Sequence, residues 1–387
     1  MPPRATPSVQ LKAAAQRLKN WVKNDAMPLW LARGLDPVTG AHYERLRADG
    51  QADVESNVRV RVQARQAFFF AVAADRGWCP QGQSVVKNLL GFVQENAAHP
   101  SAGYTHLMDK NFKVVDCKQD LYDHAFFILA NAWRYRVFGD ESALNEADKI
   151  VAHLDARFGS LYGGWIEGDY AYPCRRQNPH MHLFEAFLSL YDATGDAKWL
   201  ARTGEIFTLF QTRFYASEQQ VLLEFFQEDW QVCKDSRGEV VEPGHMMEWV
   251  WLLDWYGRRS GRPVRQYTGV LFEKGIALGL ASSGLLFDAV ATDGRVIDRN
   301  KRCWGMTELI KASLVQIREG NVLAEAVAIK AVSDLFDYYL CAATPGSYID
   351  QRGAQDEVIV DVAPASTLYH IIVAAIELID HCEGVYQ

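Results

Sequence analysis

Apolar helical segments alternate with amphipathic ones along most of this chain, and a glycine usually separates the two. The segments HMHLFEAFLSLYDA and HMMEWVWLLDWYG are apolar on nearly every side, which predicts helices that are buried on nearly every side. Segments that follow a glycine, such as ESALNEADKIVAHLDARF, have one apolar and one polar face and predict surface helices. The pattern therefore predicts helix pairs, each with an inner and an outer member.

The glycines that end the apolar segments recur about every sixty residues, the spacing of a helical-hairpin array. They are Gly77, Gly139, Gly195, Gly261, Gly320 and Gly384. Glycine suits the left-handed position just past a helix end, and Asp140, Asp196 and Asn321 directly after three of them suit the start of the next helix. We therefore predict an all-α fold in which residues 1–387 form one (α/α)6-barrel domain of six inner and six outer helices. An open solenoid would need polar capping repeats at its ends, and the sequence has none.

Short β-like stretches with turn residues lie between the helix pairs. LLFDAVATDGRVIDRN is the clearest example, with two alternating runs around an Asp-Gly turn. These stretches predict short hairpins at one end of the helices, and we expect the active site at the same end.

Composition narrows the partners and the compartment. The chain of 387 residues is 49% hydrophobic and 23% charged, which is typical of a soluble globular protein. A net charge of −8 without a basic run argues against nucleic acid, and no apolar stretch is long enough to span a membrane. Seven scattered cysteines and the lack of an apolar leader favour the cytoplasm. The oligomeric state, monomer or homodimer, stays open.

Polar residues with no packing role occur at one level of the predicted inner helices. They are Arg65, His182, His245, Glu248, Glu308 and His370, with Asp123 and His124 at the corresponding level of the second unit. At 1.5 Å per residue they lie roughly 18–24 Å from the glycine end. Any one of them can be a hydrogen-bonded core residue, but together they predict a pocket at the N-terminal mouth of the inner helices.

The sequence lacks the motifs of several other chemistries. His180 and His182 are two residues apart and diverge on a helix, and no His-Glu-x-x-His zinc motif is present. A phosphate-binding P-loop, a dinucleotide fingerprint and a nucleophile elbow are also missing. We therefore predict no metal and no cofactor, and chemistry by side-chain acids and bases.

Five segments, in order along nearly the whole chain, resemble the N-acylglucosamine 2-epimerase superfamily. They are RVQARQAFFF, NPHMHLFEAFLSLYDATGD, EPGHMMEWVWLL, RCWGMTELIKA and PASTLYHIIVAAIEL. The family includes N-acylglucosamine 2-epimerases, cellobiose 2-epimerases and mannose isomerases. The resemblance implies an (α/α)6 barrel, in agreement with the glycine spacing, and a sugar as the small-molecule substrate.

The resemblance also implies roles for individual residues. By their place in the family motifs, His370, His245 and Glu248 are the catalytic candidates. Substrate contacts are implied for Arg65, Asn178, His182, Trp304 and Glu308.

The segment around His370 favours one branch of the family. Pro364–His370 lacks the Arg that follows this histidine in N-acylglucosamine 2-epimerases and the Trp that stacks on a second sugar in cellobiose epimerases. It is closer to the mannose isomerase branch. We therefore expect an isomerase that converts unphosphorylated D-mannose to D-fructose. The alternatives are N-acylglucosamine 2-epimerase, cellobiose 2-epimerase and an (α/α)6 glycoside hydrolase that uses Glu248, Glu308 or Asp123. A third class, non-catalytic binding, would leave the convergence of Arg and His unexplained.

The expected chemistry is proton transfer through a cis-enediol. We expect His370 to remove the C2 proton, and His245, oriented by Glu248, to open the sugar ring. His182 and Arg65 would bind substrate oxygens and stabilise the enediolate. The two main histidines could exchange roles.

Overall fold

The computed structural model describes residues 6–385 as a closed ring of helix pairs. Residues 1–5 and 386–387, the two ends of the predicted domain, lie outside the described residues. The prediction about an apolar leader concerns a segment that begins in the first of these ranges. The inner helices are α3 Val60–Asp75, α5 Leu121–Phe138, α7 Asn178–Thr194, α9 Pro243–Ser260, α11 Cys303–Glu319 and α13 Leu368–Glu383. Each contacts the next around the ring, and α13 returns to α3.

The outer layer consists of amphipathic helices. They are α1 Val9–Asn20 with its continuation α2 Met27–Arg33, α4 Gly82–Asn96, α6 Glu141–Phe158, α8 Ala197–Leu209, α10 Arg265–Gly279 and α12 Ala324–Asp334. A π-helical turn, Trp21–Ala26, joins α1 to α2. The outer helix α1 packs on α13 and α12, so the first and last helix pairs meet. The predicted (α/α)6 barrel is thereby confirmed, and the open solenoid is excluded.

Glycine ends the inner helices as predicted. Gly139, Gly195, Gly261, Gly320 and Gly384 follow their helices with φ between 66° and 91°. Gly77 lies one residue beyond its helix cap, with φ of 67°. Side chains with a Cβ avoid this left-handed region, so the residue ends the helix while its N–H still bonds to the last turn.

Two of the three predicted helix starts are confirmed. The Asp140 carboxylate accepts the Ser142 N–H at the start of α6, and the Asp196 carboxylate accepts the Lys198 N–H at the start of α8. Asn321 differs, because its side chain accepts the Leu323 N–H in a turn and α12 begins only at Ala324.

Short antiparallel strands surround the opposite end of the ring. They are β1 Arg45–Arg47, β2 Val58–Arg59, β3 Leu107–Met108, β4 Val114–Asp116, β5 Arg175–Arg176, β6 Tyr215–Ala216, β7 Val221–Leu222, β8 Phe225–Phe226, β9 Val240–Val241, β10 Ala289–Ala291, β11 Val296–Asp298, β12 Lys301–Arg302, β13 Gln351–Arg352 and β14 Val362–Pro364. The predicted hairpin is β10–β11. Strands β2, β5, β9, β12 and β14 lead directly, or through one short turn, into inner helices. The hairpins therefore surround the N-terminal mouth of the ring.

The cysteines and the hydropathy of the helices bear on two further predictions. All seven cysteines are free thiols, so a disulfide framework is excluded. None of the helices within residues 6–385 combines the length and the apolar character that crossing a membrane requires.

Candidate active site

A cavity of about 270 Å³ opens at the N-terminal mouth, and every inner helix contributes to its wall. This volume is near the lower end of the range for small-molecule sites, which suits a single sugar. All predicted site residues except Glu308 line it. The full lining is Arg59, Arg61, Arg65, Tyr122, Asn178, His182, Glu242, His245, Glu248, Arg302, Trp304, Asp350, Pro364, Ser366, Thr367 and His370. The predicted level on the inner helices is therefore the level of a real cavity.

His245, in the first turn of α9, is held by a carboxylate that sequence reasoning missed. Its Nδ1–H donates to Glu224 Oε2 at 3.0 Å, and Glu242 Oε2 lies 3.6 Å from the same nitrogen. Gln177 Nε2 also donates to Glu224 (2.9 Å), and Trp249 Nε1 donates to Gln177 (2.8 Å). We expected Glu248 to orient His245, but Glu224, which lies between β7 and β8, takes this position.

These carboxylates give His245 a positive charge. Burial alone lowers the pKa of an imidazole, but Glu224 and Glu242 outweigh burial and raise the pKa of His245 to about 10. His245 is therefore an imidazolium at neutral pH and can act as an acid.

His370, in the first turn of α13, has the opposite protonation. Burial, reinforced by the nearby Arg65 and Lys311, lowers its pKa well below the usual value. Its Nδ1–H donates to Glu308 Oε1 at 2.9 Å, and the other nitrogen is left with a lone pair. His370 is therefore a neutral imidazole that can act as a base.

Glu308 and Lys311 support His370 from behind the cavity. Both side chains are fully buried, and Lys311 Nζ lies 2.6 Å from Glu308 Oε2. We expected Glu308 to contact the substrate, but it lies behind His370 and outside the cavity wall. Through its hydrogen bond with Nδ1, Glu308 holds the His370 ring in place.

A layer of buried charge lies beneath the cavity floor. Burial, with the nearby Glu308, raises the pKa of Glu248 well above its usual value, and burial raises that of Glu185 to about 7. Lys311 opposes both shifts as the cation among these carboxylates. Burial therefore favours the protonated form of the Glu248 carboxyl, which can donate a hydrogen bond into the cavity.

Trp304 lies between the two histidines. Its ring centroid is 5.1 Å from that of His245 and 5.6 Å from that of His370, and both planes are tilted by about 35°. Gly244 allows this packing, because a Cβ there would lie 2.5 Å from the indole ring. The two histidines therefore flank one aromatic surface from separate helices.

Arg65 and His182 form the wall across from these groups. Arg65 Nη1 donates to the Ser366 carbonyl at 3.0 Å, Nη2 donates to the Tyr122 hydroxyl, and the guanidinium stacks on Phe126 at 4.0 Å. Burial, followed by the charge of Arg65, lowers the pKa of His182 well below its usual value. The Nδ1 atom of the neutral His182 ring is buried and lies 3.5 Å from Glu185 Oε2. Asn178 completes the wall, with Nδ2 3.3 Å from His245 Nε2.

Three polar residues of the apolar helices have structural roles instead. His124 Nε2 accepts the Tyr104 N–H, and His180 Nε2 accepts the Trp165 N–H, so both rings fix loops outside the cavity. His180 and His182 diverge as predicted. Asp123 binds Arg61 and His106, each at 2.6 Å.

One polar side chain per unit fixes the start of each inner helix. These side chains, Glu44, His106, Glu167, Glu224, Asp288 and Asp350, occupy matching places in the loop between the outer and the inner helix. Their respective partners are Arg59, Asp123, Arg176, His245, Arg302 and Thr367.

The first, third and fifth units use this position in the same way. One carboxylate oxygen accepts the backbone N–H of an arginine, at 2.9 Å for Arg59, 2.7 Å for Arg176 and 2.8 Å for Arg302. The guanidinium of the same arginine binds the carboxylate as well. Arginines thus alternate with other partners around the mouth, and we refer to Arg59, Arg176 and Arg302 as the alternating arginines.

Three groups of side chains within residues 6–385 are close enough to hold a metal ion. They are His182–Glu185–Glu248, Glu224–Glu242–His245 and Glu248–Glu308–His370, each with ligand atoms within 4.8 Å of one another. In the last two groups, a histidine and a carboxylate are close because they share a hydrogen bond, His245 with Glu224 and His370 with Glu308. The prediction that the protein uses no metal remains a prediction.

Comparison with known proteins decides the family. Residues 41–374 match the family described as N-acylglucosamine 2-epimerase (GlcNAc 2-epimerase). This chain belongs to that family. In sequence, the chain is 32% identical over 378 residues to a mannose-6-phosphate isomerase of Rhizobium meliloti (strain 1021), covering 95% of this chain and 97% of the relative. It is 34% identical over 166 residues to a D-mannose isomerase of Thermobifida fusca, covering 39% and 40%.

The fold of this family member matches solved structures. Cellobiose 2-epimerase from Bacillus thermoamylovorans B4167 superimposes with a TM-score of 0.86 at 18% identity, over 95% of this chain and 99% of that one. Relatives named as isomerases and epimerases support the expected class of enzyme. The chain is therefore a sugar isomerase or epimerase.

The site geometry argues against a glycoside hydrolase as well. The inverting mechanism needs two carboxyl groups about 6.5–9.5 Å apart, so that water fits between them. The nearest oxygens of Glu248 and Glu308 lie within 4.8 Å, and Glu308 is outside the cavity. Asp123 is held by Arg61 and His106.

Proposed function

We propose that this enzyme interconverts D-mannose and D-fructose, by moving a proton between C2 and C1 through a cis-enediol. One observation carries the proposal: the two histidines that flank Trp304 have pKa values shifted in opposite directions. Groups whose environments separate their pKa values in this way are suited to act as an acid and a base.

Ring opening comes first. The His245 imidazolium protonates the ring oxygen of the hemiacetal, and the neutral imidazole that results accepts the proton of the anomeric hydroxyl. His245 thereby regains its proton while Glu224 holds the imidazole in place. The open-chain aldehyde then has an acidic C–H at C2.

Proton transfer follows at His370. Its unprotonated nitrogen takes the C2 proton, the C–H electron pair forms the C1–C2 double bond, and the carbonyl pair moves to O1 to give a cis-enediolate. A proton then moves from the O2 hydroxyl to O1, so that C2 can become the carbonyl carbon. His370, whose proton exchanges with solvent at this stage, then returns a proton to C1 and produces the ketose. Epimerisation would instead return a proton to the opposite face of C2 from a second, protonated group. The preference for isomerisation rests on the names of the relatives, mannose-6-phosphate isomerase and D-mannose isomerase.

The remaining wall residues stabilise charge on oxygen. Arg65 supplies a fixed positive charge, and Asn178, His182 and Glu248 supply polar atoms along the cavity. Donors that are already fixed in a buried site stabilise a developing oxyanion more effectively than water does. Trp304 offers its face to the sugar.

Relatives support mannose as the sugar. Their names, mannose-6-phosphate isomerase and D-mannose isomerase, share the mannose skeleton and the exchange between C1 and C2. The inner cavity of about 270 Å³ accommodates one sugar ring. We therefore assign D-mannose as the sugar unit that occupies the inner cavity.

Proton NMR of the purified enzyme with D-mannose in D2O, without added metal or nucleotide, tests the proposal. We expect fructose to appear, with solvent deuterium at C1. His370→Asn should lower the rate by about 10²–10⁴-fold, the usual contribution of an acid–base group. His99→Asn is the matched control, because His99 lies outside the cavity.

The other outcomes are equally informative. Glucose without fructose would mean C2 epimerisation and would require a second acid–base group. Unchanged mannose would contradict the substrate assignment, and N-acetylmannosamine with ATP and then cellobiose would be tested next.

A further inference from the structure

A second cavity of about 650 Å³ adjoins the sugar cavity on its outer side. We call it the vestibule. The two cavities share Arg59, Arg61, Tyr122, Asn178 and Arg302 in their walls, so one opens into the other. A substrate in the inner cavity can therefore extend a second group into the vestibule.

Basic side chains dominate the vestibule wall. They are Arg59, Arg61, Lys118, Arg176, Arg237 and Arg302. All three alternating arginines are among them, so three separate units each direct one fixed guanidinium to this space. The acidic residues that line it are Asp120 and Glu167, and both are buried against their partners.

Arg237 pairs with Asp235, which is the more exposed of the two side chains. The other four arginines each stand in front of a less exposed carboxylate. The exposed fractions of the two side chains are 32% and 11% for Arg59–Glu44, 15% and 2% for Arg61–Asp123, 36% and 1% for Arg176–Glu167, and 39% and 7% for Arg302–Asp288. The carboxylates fix the arginines from behind, while the guanidinium groups contact solvent. The surface that a ligand meets is therefore cationic, although the pairs are neutral as a whole.

The described contacts also leave donors unused. In Arg59 and Arg176, the carboxylate binds Nε and Nη2, and no contact of Nη1 is described within residues 6–385. A guanidinium has five N–H donors in a planar fork that matches phosphate oxygens. Positioned arginines with unused donors suit a bound oxyanion.

We propose that the vestibule binds an anionic group on the substrate, and that the preferred class is a hexose carrying a phosphate monoester at the end remote from C1. The inference rests on the proposed function, because the sugar part occupies the same inner cavity. A phosphate monoester offers three strong acceptor oxygens and nearly two negative charges.

A second neutral sugar fits the vestibule less well. Such a sugar would need an uncovered aromatic face to pack on. Four aromatic side chains, Tyr122, Tyr170, Tyr172 and Phe225, line the vestibule. Cations cover two of them, with the Arg61 guanidinium 5.2 Å from the Tyr122 centroid and Lys118 Nζ 5.2 Å from the Tyr170 centroid. The wall thus offers more charge than stacking surface.

Calorimetric titration with sugar alcohols tests the inference without turnover. Mannitol and mannitol 6-phosphate lack a carbonyl group, so the enzyme cannot isomerise them. We expect mannitol 6-phosphate to bind at least about tenfold more tightly than mannitol, a difference that corresponds to about 1.4 kcal/mol. The advantage should decrease with added salt, because ions screen exposed charges.

The double variant Lys118→Gln/Arg237→Gln locates the effect. Both residues line only the vestibule, and their partners Asp116 and Asp235 are largely exposed, so the fold does not depend on these pairs. We expect the advantage of the phosphorylated alcohol to fall to about threefold or less, with mannitol binding unchanged. The matched control, Lys149→Gln/Lys198→Gln, removes the same charge from the outer helices α6 and α8.

The outcomes separate this inference from the proposed function. Equal affinities for the two alcohols would overturn the inference, even if mannose is isomerised. Tight binding of mannitol 6-phosphate would uphold it, even if no sugar is isomerised. Inorganic phosphate that binds as tightly as mannitol 6-phosphate would also overturn it, because the site would then bind free anions.

Discussion

At the scale of single residues, the charge of His245 depends mainly on Glu224. The pKa of about 10 is high because the negative charges of Glu224 and Glu242 outweigh burial. His245 acts as an acid only while it is protonated, so wild-type kcat/KM should decline above about pH 10. Glu224→Gln keeps the shape of the side chain but removes its charge, and should move this decline to lower pH. The measurement is kcat/KM for mannose from pH 5 to 11.

Glu228→Gln is the control for this experiment. Glu228 is an exposed residue of the same loop and lies outside both cavities, so its variant should keep the wild-type profile. An alkaline limb that stays in place in Glu224→Gln would show that another group provides the acid.

Lys311 governs stability through the buried carboxylates around it. Burial raises the pKa of Glu185, Glu248 and Glu308, so the unfolded chain loses these protons at lower pH than the folded chain does. Rising pH therefore favours unfolding, and the positive charge of Lys311 opposes this effect. Lys311→Met should lower the free energy of unfolding by about 3–5 kcal/mol, the usual result of leaving a buried charge unpaired.

The pH dependence distinguishes this explanation from lost packing. The destabilisation, measured by urea unfolding, should be larger at pH 8 than at pH 5. A cost independent of pH would indicate that only packing was lost. Lys149→Met, at an exposed position beside Glu146, should change stability little at either pH.

Residue roles could be predicted only in part. Polar side chains on apolar helices identify Arg65, His182, His245 and His370, because a buried helix has no packing use for them. Glu224 escaped this reasoning because it lies in the loop segment VLLEFF, far from His245 in sequence. Its signal was a lone carboxylate within an apolar run. Glu308 was detected, but spacing along a helix does not show which polar group lies in front of another.

At the scale of helices, one substitution should have opposite effects at two glycines. Gly195 has φ of 69° at the end of α7, where a Cβ is unfavourable, so Gly195→Ala should cost about 1–2 kcal/mol. Gly91 lies inside α4, and a Cβ there meets open space. Gly91→Ala should therefore stabilise the protein by about 0.5–1 kcal/mol. Chemical unfolding of both variants checks the two signs.

Each glycine variant is the control for the other, because both substitutions add the same methyl group. Equal signs would contradict the assignment of Gly195 to a left-handed helix end. Activity should be unchanged in both variants, because both glycines lie far from the sugar cavity.

Helix ends were more predictable than the loops. Gly139 and Gly195 mark chain reversals through a backbone rule that is local in sequence. Asn321 obeys a local rule as well, but its side chain closes a turn instead of starting the helix, and sequence does not separate these two uses. The pairing of β9 with β10 joins distant segments, and no local signal specifies it.

At the scale of the whole molecule, ring closure should make unfolding cooperative. Helix α1 lies against α13 and α12, with Leu11 and Leu18 fully buried, so within residues 6–385 the first and last helix pairs pack on each other. Leu18→Ala should cost about 2–5 kcal/mol. Tryptophan fluorescence and far-UV circular dichroism should still report one shared transition. A separate early transition would mean that α1 detaches alone, as in an open array.

The architecture was predictable because it repeats. Six glycines at similar intervals contain more information than any single helix signal, and they specify the ring and its two ends. The cavity volume, the vestibule and the order of charges depend on side-chain packing between units, which the repeat does not encode.

The polar position that each unit contributes to the mouth has a consequence for how such a protein can change. Glu44, Glu167 and Asp288 each fix one corner of the opening, while the glycines that end the inner helices lie at the opposite end. A change in one loop therefore alters one corner and leaves the other five and the helix ends in place. New substrate preferences can be acquired one loop at a time, in a scaffold whose foldability is maintained elsewhere.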